Sequence, residues 1–304
     1  MRTLSALVVI AVCCFPRGVH AQFTDPRNYT LAPVVINQLE LDYAYAHTNA
    51  SVDTTVEVLG AHLALNEVAL SYLHNFSALG HLAWVKAGVP FASVSGSVAG
   101  TNLAGSLTGM GDSSLEFAAL LKGGKALSAA EFMAYEPATT VGASLVISVP
   151  TGDYDPEKRV NLGAHRWSFK PEIGVSYPFG PERRWVVDAY VNSYFFTDNA
   201  AYRGAEILHQ EPLPGIEGHL SYTFTPSVWA SLDLRYSYRG VTILNDLDQD
   251  NAQQSLTVGA EASWSPDSHN TLVLVLAKAF VHTNSPDYAG IGLRYFYSWG
   301  SGTM

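Results

Sequence analysis

Residues 232–239 read Leu-Asp-Leu-Arg-Tyr-Ser-Tyr-Arg, a strict alternation of apolar and polar side chains. Neighbouring residues of a β-strand point to opposite faces, so one face of this segment is Leu and Tyr and the other is Asp, Arg and Ser. Segments of this kind, each about ten residues long, recur along the chain, and the connections between them alternate between short and long. The pattern predicts a transmembrane β-barrel with one face toward lipid and the other toward an aqueous lumen.

The composition agrees with a membrane barrel. Only 14% of the 304 residues are charged, while 12% are aromatic and 16 are Tyr. After residue 21 no apolar stretch is long enough to span a bilayer as a helix. A soluble secreted β-sandwich would share some of these features, but aromatic-rich alternating strands favour a barrel with Tyr and Trp at the two membrane interfaces.

The amino terminus has the pattern of a secretory leader. Arg2 precedes an apolar run from Leu4 to Phe15, and Val19-His20-Ala21 places small residues where a signal peptidase cleaves. We therefore predict three regions: a signal peptide over 1–21, a periplasmic amino-terminal segment over 22–35 and a barrel over 36–300. The expected location is the cell outer membrane of a Gram-negative bacterium.

Both cysteines, Cys13 and Cys14, lie in the predicted leader, so we expect a mature chain without disulfides or cysteine-based metal sites. Removing the leader leaves 15 basic and 27 acidic residues, a net charge of about −12. Such a charge makes nucleic acid an unsuitable partner. The expected partners are outer-membrane lipid and a small-molecule solute, and no motif indicates a cofactor or a metal.

The alternating segments number about twelve, an even number as single-chain bacterial barrels have. We predict an all-β, antiparallel, up-and-down barrel whose first strand starts at Ile36 and whose last strand carries Ile291. These two strands should pair with each other, because an unpaired strand edge in lipid leaves backbone groups without hydrogen-bond partners.

The connections assign the two ends of the barrel. The short ones should face the periplasm, near 77–80, 179–184, 225–227 and 265–269. The long ones should face outward, over 93–111, 150–167, 197–215 and 240–253. Two connections are exceptions: a helical segment on the periplasmic side, and a short final turn near 284–287 on the outside. Pro90 is expected to end the third strand. Ser128-Ala129-Ala130-Glu131 has the form of a capping box and predicts one short periplasmic helix within 126–135.

Many inward positions are polar, and eleven of them are candidate residues of a solute-selective lumen. They are Glu40, Asp42, Lys170, Glu172, Asp188, Tyr190, Glu217, Asp233, Arg235, Glu261 and Arg294. Lys278 is also placed inward. Mixed charge of this kind is either ordinary filling of a barrel, where buried charges must be paired or hydrated, or a ladder that selects solute. Twelve strands enclose a narrower lumen than the sixteen or more of open porins.

One long connection carries a recognisable motif. Pro150-Thr151-Gly152-Asp153-Tyr154-Asp155 is followed by Asn161-Leu162-Gly163, Arg166-Trp167 and Phe169-Lys170-Pro171-Glu172. In these residues the chain resembles the family named for the MetA pathway of phenol degradation. The resemblance extends over most of the mature chain and implies an outer-membrane transporter-like barrel, with some members associated with uptake of aromatic compounds.

The same connection supplies the candidate gating residues. They are Pro150, Thr151, Gly152, Tyr154, Asn161, Arg166 and Trp167. Pro and Gly suit the turns of a folded external loop pinned to the rim, which is the structural interpretation. In the functional interpretation Tyr154, Arg166 and Trp167 fold into the mouth and control access.

The expected function is passive uptake of small, aromatic or hydrophobic solutes through a lumen gated by this loop. The alternative is a closed structural barrel whose loops, such as Asn245 to Gln254, bind a partner. An outer-membrane hydrolase is the least favoured possibility, because the histidines occur in no GxSxG or HExxH pattern and His219 with Ser221 share only a strand face. No catalytic residues are predicted.

Overall fold

The computed structural model describes residues 24–49, 61–98, 104–158, 161–285 and 287–300. The signal peptide over 1–21 and its cleavage site lie outside the described residues, so both stay predictions.

The described residues form strands, one short α-helix, α1 (Ala129–Phe132), and one 3-10 turn (Pro181–Arg183). The strands, in chain order, are β1 (Ile36–Asn49), β2 (Ala61–Ala78), β3 (His81–Val98), β4 (Ala104–Met110), β5 (Ser113–Lys122), β6 (Thr140–Val149), β7 (Ser168–Phe179), β8 (Trp185–Phe196), β9 (Asn199–Tyr202), β10 (Glu206–Gln210), β11 (Leu213–Thr225), β12 (Val228–Arg239), β13 (Thr242–Leu244), β14 (Leu247–Asp248), β15 (Gln253–Trp264), β16 (Asn270–Thr283) and β17 (Asp287–Gly300). None of the helices in these ranges is long and apolar enough to cross a membrane.

Twelve of the strands close an antiparallel barrel, each paired with the next along the chain: β1, β2, β3, β5, β6, β7, β8, β11, β12, β15, β16 and β17. The first and last strands are in register from Ile36 opposite Gly300 to Asn49 opposite Asp287. The closed barrel confirms the predicted fold class, and this register confirms the predicted closure.

The two faces of the wall follow the alternation in the sequence. In β12, Leu232 and Leu234 are exposed on the outside, while Asp233 and Arg235 are buried inside. Aromatic side chains cluster on the outside near one end, where the rings of Trp185 and Tyr222 lie 4.7 Å apart. An apolar outer band with aromatic rings at its margin fits a barrel embedded in lipid.

The connections over 79–80, 180–184, 226–227 and 265–269 are short and lie at one end, which we call the periplasmic end because short turns face the periplasm in outer-membrane barrels. The connection between β16 and β17 is also short and lies at the other end. α1 lies at this end, in the connection between β5 and β6. Its capping box is formed: Ser128 N donates to Glu131 Oε2 at 2.8 Å, and Glu131 N donates to Ser128 Oγ at 3.3 Å. The hydrogen bonds from Ser128 lower the pKa of the Glu131 carboxyl. The predicted helix is confirmed.

The loop predicted over 93–111 is wrong, and so is the predicted end of a strand at Pro90. β3 continues to Val98 and then pairs with β4. Pro90 lies where β3 changes partner on one edge, between the pairs of Gly88 with Ser114 on β5 and of Phe91 with Met110 on β4. No ladder donor is required from Pro90 at this junction, and its carbonyl accepts from Gly111 N at 3.0 Å.

Two other long connections contain structure that the sequence did not predict. The connections over 197–215 and 240–253 contain a second, four-stranded sheet in the order β14, β13, β10 and β9. It lies at the extracellular end, because both connections join strands at that end.

Lys278 points outward, so the prediction that it faces the lumen is wrong. Its Nζ lies 5.7 Å from the centre of the Phe280 ring on the outer face. The inward neighbours on β16, Val275, Ala277 and Ala279, are apolar and buried. Because both faces of β16 are apolar, alternation of polarity could not decide which one faces the lumen.

Lys278 tests how high the outer apolar band reaches. It lies two residues below Phe280, close to the extracellular end of β16, where its ammonium can extend to the interface. A lysine costs about 2–4 kcal/mol at the midplane and about 0–1 kcal/mol near an interface. We therefore expect Lys278→Leu to change the free energy of unfolding in lipid vesicles by less than about 1 kcal/mol.

Leu276→Lys is the matched control, because Leu276 lies two residues closer to the periplasmic end on the same outward face of β16. We expect Leu276→Lys to lower the free energy of unfolding, measured by urea titration, and this decrease should be larger than the change that Lys278→Leu causes. A large stabilisation by Lys278→Leu would contradict this and place Lys278 in the hydrocarbon.

Candidate functional site

The lumen holds the amino-terminal segment Thr24–Val35, which we call the plug. It enters at the periplasmic rim, where Val34 N donates to Leu127 O at 2.9 Å and Val35 N donates to Asn75 O at 3.0 Å. The sequence predicted a segment in the periplasm over 22–35, and the described part of that range lies inside the barrel instead. The segment lies in the lumen because it supplies partners to buried luminal charges, which are unfavourable without them.

The inner end of the plug docks on a charged cluster. Thr24 N donates to Glu217 Oε2 at 2.7 Å and its hydroxyl donates to Glu172 Oε2 at 2.6 Å. Lys170 Nζ lies 3.0 Å from Glu172 Oε2 and 3.5 Å from Glu217 Oε1. Asn192 Nδ2 donates to both carboxylates, at 2.9 and 2.7 Å. The two acids are thus neutralised and bridged by side chains of the wall and one residue of the plug.

Arg27 fastens the middle of the plug. Its backbone N donates to Asp188 Oδ2 at 3.0 Å, its Nε to Ser221 Oγ at 2.8 Å and its Nη2 to Thr223 Oγ1 at 2.9 Å. The guanidinium carbon also lies 4.9 Å from the centre of the Trp229 ring. A planar guanidinium with several directed donors suits this combination of hydroxyl and aromatic partners.

Tyr29 is the fully buried anchor of the plug. Its hydroxyl lies 2.9 Å from Ser144 Oγ and 3.0 Å from Glu172 Oε1, and its ring meets Tyr190 edge-on with centroids 5.2 Å apart. Burial, and next the charge of Glu172, raise the pKa of this hydroxyl, so it stays protonated and can donate.

Two glycines make the hollow for that ring. Gly142 on β6 and Gly174 on β7 stand opposite each other in register. A Cβ on Gly142 would lie 2.1 Å from Tyr29 Cδ1, and a Cβ on Gly174 would lie 2.5 Å from Tyr29 Cε2. Strand glycines often mark such a close approach, and here the pair fixes where the plug can dock.

Two further luminal cations, Arg294 and Lys86, are paired with carboxylates. Arg294 bridges Asp25 of the plug at 2.5 Å and Glu261 of the wall at 2.7 Å. Lys86 forms an ion pair with Glu40. Removing one partner of such a buried pair leaves an uncompensated charge, so the plug and the wall stabilise each other electrostatically.

A cavity of about 620 Å³ remains beside the plug. It extends from Gln38 and Ser298 at the periplasmic end up to Pro90 and Asp112. Acidic residues outnumber basic ones in its lining, seven against four: Asp25, Glu40, Asp42, Glu67, Asp112, Glu116 and Glu261 against Arg27, Lys86, Lys170 and Arg294.

The structure places all eleven candidate lumen residues on the inner face. Six of them contact the plug: Lys170, Glu172, Asp188, Tyr190, Glu217 and Arg294. The other five do different things. Glu40, Asp42 and Glu261 line the cavity, Arg235 lies 3.9 Å from Glu217, and Asp233 accepts from Ser231 at 3.1 Å. Tyr190, offered as a solute contact, packs against Tyr29.

The candidate gating loop, Pro150–Trp167, lies at the extracellular end and is tied into structure. The Tyr154 hydroxyl donates to Ala201 O at 3.0 Å, and Arg166 Nη2 donates to Gln210 Oε1 at 2.5 Å. Asn161 accepts from Asp155 N at 2.8 Å within the loop. Trp167 is exposed on the outer surface rather than folded into the mouth. Pro150, Thr151 and Gly152 form the first arm of the loop at the top of β6.

The two residues of the hydrolase alternative are committed to other partners. The hydroxyl of Ser221 accepts from Arg27, and His219 Nδ1 lies 2.8 Å from Asp233 Oδ1. Over the ranges that the structure describes, no group of three or more His, Cys, Asp or Glu residues could hold a metal ion.

The docked plug was not found in the sequence, although one signal was available. Gly142 and Gly174 occupy inward positions of strands whose other inward residues are larger, so a close neighbour could be expected there. That neighbour, Tyr29, is more than 100 residues away along the chain, and spacing cannot identify it.

Gly142→Ala should loosen the plug, because the added methyl group would overlap the Tyr29 ring. Overpacking of this kind costs about 1–3 kcal/mol. We expect amide hydrogen exchange over residues 24–35 to become about tenfold faster, measured by mass spectrometry in detergent. Gly218→Ala is the control, since its Cβ would have Asp188 O as nearest neighbour at 3.9 Å. Equal exchange in both variants would show that the hollow does not hold the plug.

Comparison with known proteins agrees with this architecture. An outer membrane channel from Pseudomonas putida F1 superposes with a TM-score of 0.78 at 21% identity, covering 91% of this chain and 100% of the other. The β domain of the Bordetella autotransporter BrkA gives a TM-score of 0.52 at 9% identity, covering 88% and 100%. These likenesses show the fold, that of a barrel of the Gram-negative outer membrane.

Among curated proteins, none matches the chain in sequence. The model of one protein family, described as "Putative MetA-pathway of phenol degradation", matches residues 45–295. Because the match extends over most of the chain, the protein belongs to this family of outer-membrane β-barrels.

Proposed function

We propose that the protein is a passive outer-membrane channel for small solutes, aromatic or hydrophobic compounds among them, and that the plug limits its conductance. The observation that carries this proposal is the cavity of about 620 Å³ beside the plug. A barrel with a purely structural role needs no such space, whereas a channel needs a continuous polar path. The solute class rests on the aromatic uptake that the family resemblance implies.

The mode of attachment of the plug supports a removable rather than a permanent closure. Its partners Glu172, Asp188 and Glu217 hold it through hydrogen bonds. Water can satisfy the same groups once the plug leaves, so its departure costs less than exposure of an apolar core. Tyr29 and Leu31 are the large apolar contacts of the plug, and they pack in one cluster with wall residues such as Leu82 and Leu120 close to the periplasmic end.

Removal of the plug should open the lumen. We expect the mature protein lacking residues 24–33 to conduct ions in planar bilayers several times better than the full mature protein, because the deletion frees the whole inner cross-section. The same preparation in proteoliposomes should pass benzoate and a pentose sugar faster than empty vesicles.

Leu79→Ala is the control, a substitution of an exposed residue in a periplasmic turn without luminal contacts. Its conductance should match that of the unchanged protein. If neither the full protein nor the deletion variant conducts above the bare bilayer, the channel proposal is refuted and a structural or partner-binding barrel takes its place.

The excess of carboxylates in the cavity predicts preference for cations. A low-dielectric wall with one prevailing sign of charge concentrates counter-ions. We expect the reversal potential in a potassium chloride gradient to show cation selectivity, and Glu67→Gln, at another cavity-lining acidic residue, to reduce it. Asp267→Asn, in a periplasmic turn, is the matched change of charge and should leave the potential unchanged. Anion selectivity of the unchanged protein would contradict this assignment.

A further inference from the structure

Toward the extracellular ends of β1 and β2 the inner face of the barrel wall is apolar and the outer face is polar, the reverse of the arrangement lower in the barrel. On β1 the cavity-lining Asp42 is followed at the next inward positions by the buried Ala44 and Ala46, and on β2 Glu67 is followed by Leu65. On β1, β2 and β3 the outward neighbours at this height, such as His47, Asn66 and Ser95, are polar and exposed, whereas on β16 Phe280 is apolar and exposed. A strand with a polar outer face stands in water rather than hydrocarbon, so the part of this apolar inner zone that β1, β2 and β3 form lies above the membrane.

We call this zone the outer recess. Its members come from five strands and form one buried apolar cluster: Ala44, Ala46, Leu63, Leu65, Ala92, Val94, Ala277, Ala279 and Tyr288. Leu162, from the loop between β6 and β7, packs against the cluster. The cavity ends directly below it, at Val89 and Pro90, which precede Ala92 on β3. The outer recess therefore lies between the upper end of the cavity and the extracellular end of these five strands.

The wall beside the outer recess has a gap. β4 pairs with β3, and its other edge pairs with no strand within the described ranges. β5 and β6 pair up to Ser113 opposite Val149 and do not continue above that level. Between β4 and β7 the barrel wall is consequently open at the height of the outer recess.

The loop between β6 and β7 fills this gap. Asp153 N donates to Met110 O at 2.8 Å, and Asp153 Oδ2 accepts from Met110 N at 2.9 Å, so the loop pairs with the free edge of β4. Asp153 O accepts from Leu162 N at 3.2 Å, which holds Leu162 over the outer recess. The motif found in the sequence thus shapes a segment that closes the wall, and we call its described parts, 150–158 and 161–167, the stopper.

A single carboxylate pins both arms of the stopper. Asp112 Oδ1 accepts from Gly152 N at 2.9 Å and its Oδ2 accepts from Ala164 N at 2.8 Å. The arms cross so closely that a Cβ on Gly152 would lie 2.7 Å from Gly163 Cα. Asp112 also lines the upper end of the cavity, so this pin is part of the solute path.

We propose that the outer recess is a binding site for small uncharged apolar molecules, which enter through the gap when the stopper lifts and take the place of Leu162. The site rests on the proposed channel function and gives it an entry point for apolar solutes. The lining of the outer recess carries no charged side chain, so it suits apolar molecules. The stopper can act as a gate because hydrogen bonds at Asp112 and Asp153 hold it, and water can replace those hydrogen bonds.

A thiol in the outer recess tests the proposal, because the sequence has no cysteine beyond Cys14. Val94→Cys should react slowly with N-ethylmaleimide in vesicles. Adding Asp112→Ala should accelerate the reaction about tenfold, since two hydrogen bonds that hold the stopper are lost. Leu162→Ala, which vacates the recess without touching the pins, should also accelerate it. Saturating naphthalene should slow the reaction in both double variants, and glucose should not.

Ser95→Cys is the matched control, one residue further on β3 and exposed outside. Its rate should be high and independent of Asp112→Ala. If neither Asp112→Ala nor Leu162→Ala accelerates the Val94→Cys reaction, the cluster is a fixed core and the proposal is overturned. If the Val94→Cys reaction is accelerated but naphthalene does not slow it, the stopper moves without a binding site beneath it, and the proposed binding site is overturned. The reaction needs no conduction, so its outcome is separate from that of the bilayer experiments.

Discussion

The pairing of β1 with β17 is the interaction on which the rest of the structure depends. In hydrocarbon no water can satisfy backbone N–H and C=O groups, so a sheet can cross only if its two edges meet. Once they meet, every second side chain is enclosed. The enclosed set includes Lys170, Glu172, Glu217 and Arg294, which need partners away from bulk water. The luminal network and the docked plug are consequences of closure.

The features that the sequence predicted are those set by local alternation. Neighbouring residues alone predict the number of strands, the outer face and the pair of strands that closes the barrel. They also predict that Asp233 and Glu261 point inward. The plug is different, because Thr24 and Tyr29 meet partners on β6, β7 and β11 far away along the chain. Alternation shows that Glu172 and Glu217 face inward, but it cannot show what neutralises them.

The two errors in strand assignment have one physical origin. Alternation indicates strand faces only where one face meets lipid and the other meets polar groups. Above the membrane the outer face of β3 is rich in Ser, and its inner face carries Ala92 and Val94. The apolar residues therefore occupy the inward instead of the outward positions, and the many Gly and Ser residues suggest a loop. On β16 the inner face is apolar too, and Lys278 could not be assigned by polarity. Both regions border the outer recess.

The position of the plug next to β1 has a consequence for assembly. Until β17 arrives, the sheet has two open edges, and the segment from Thr24 can settle sideways on the wall built by β6–β12. Joining β1 to β17 then encloses it, since it could afterwards leave only lengthwise past Asn75 and Leu127. The topology thus permits the sheet to wrap around a segment already docked, with the last strand synthesised completing the enclosure.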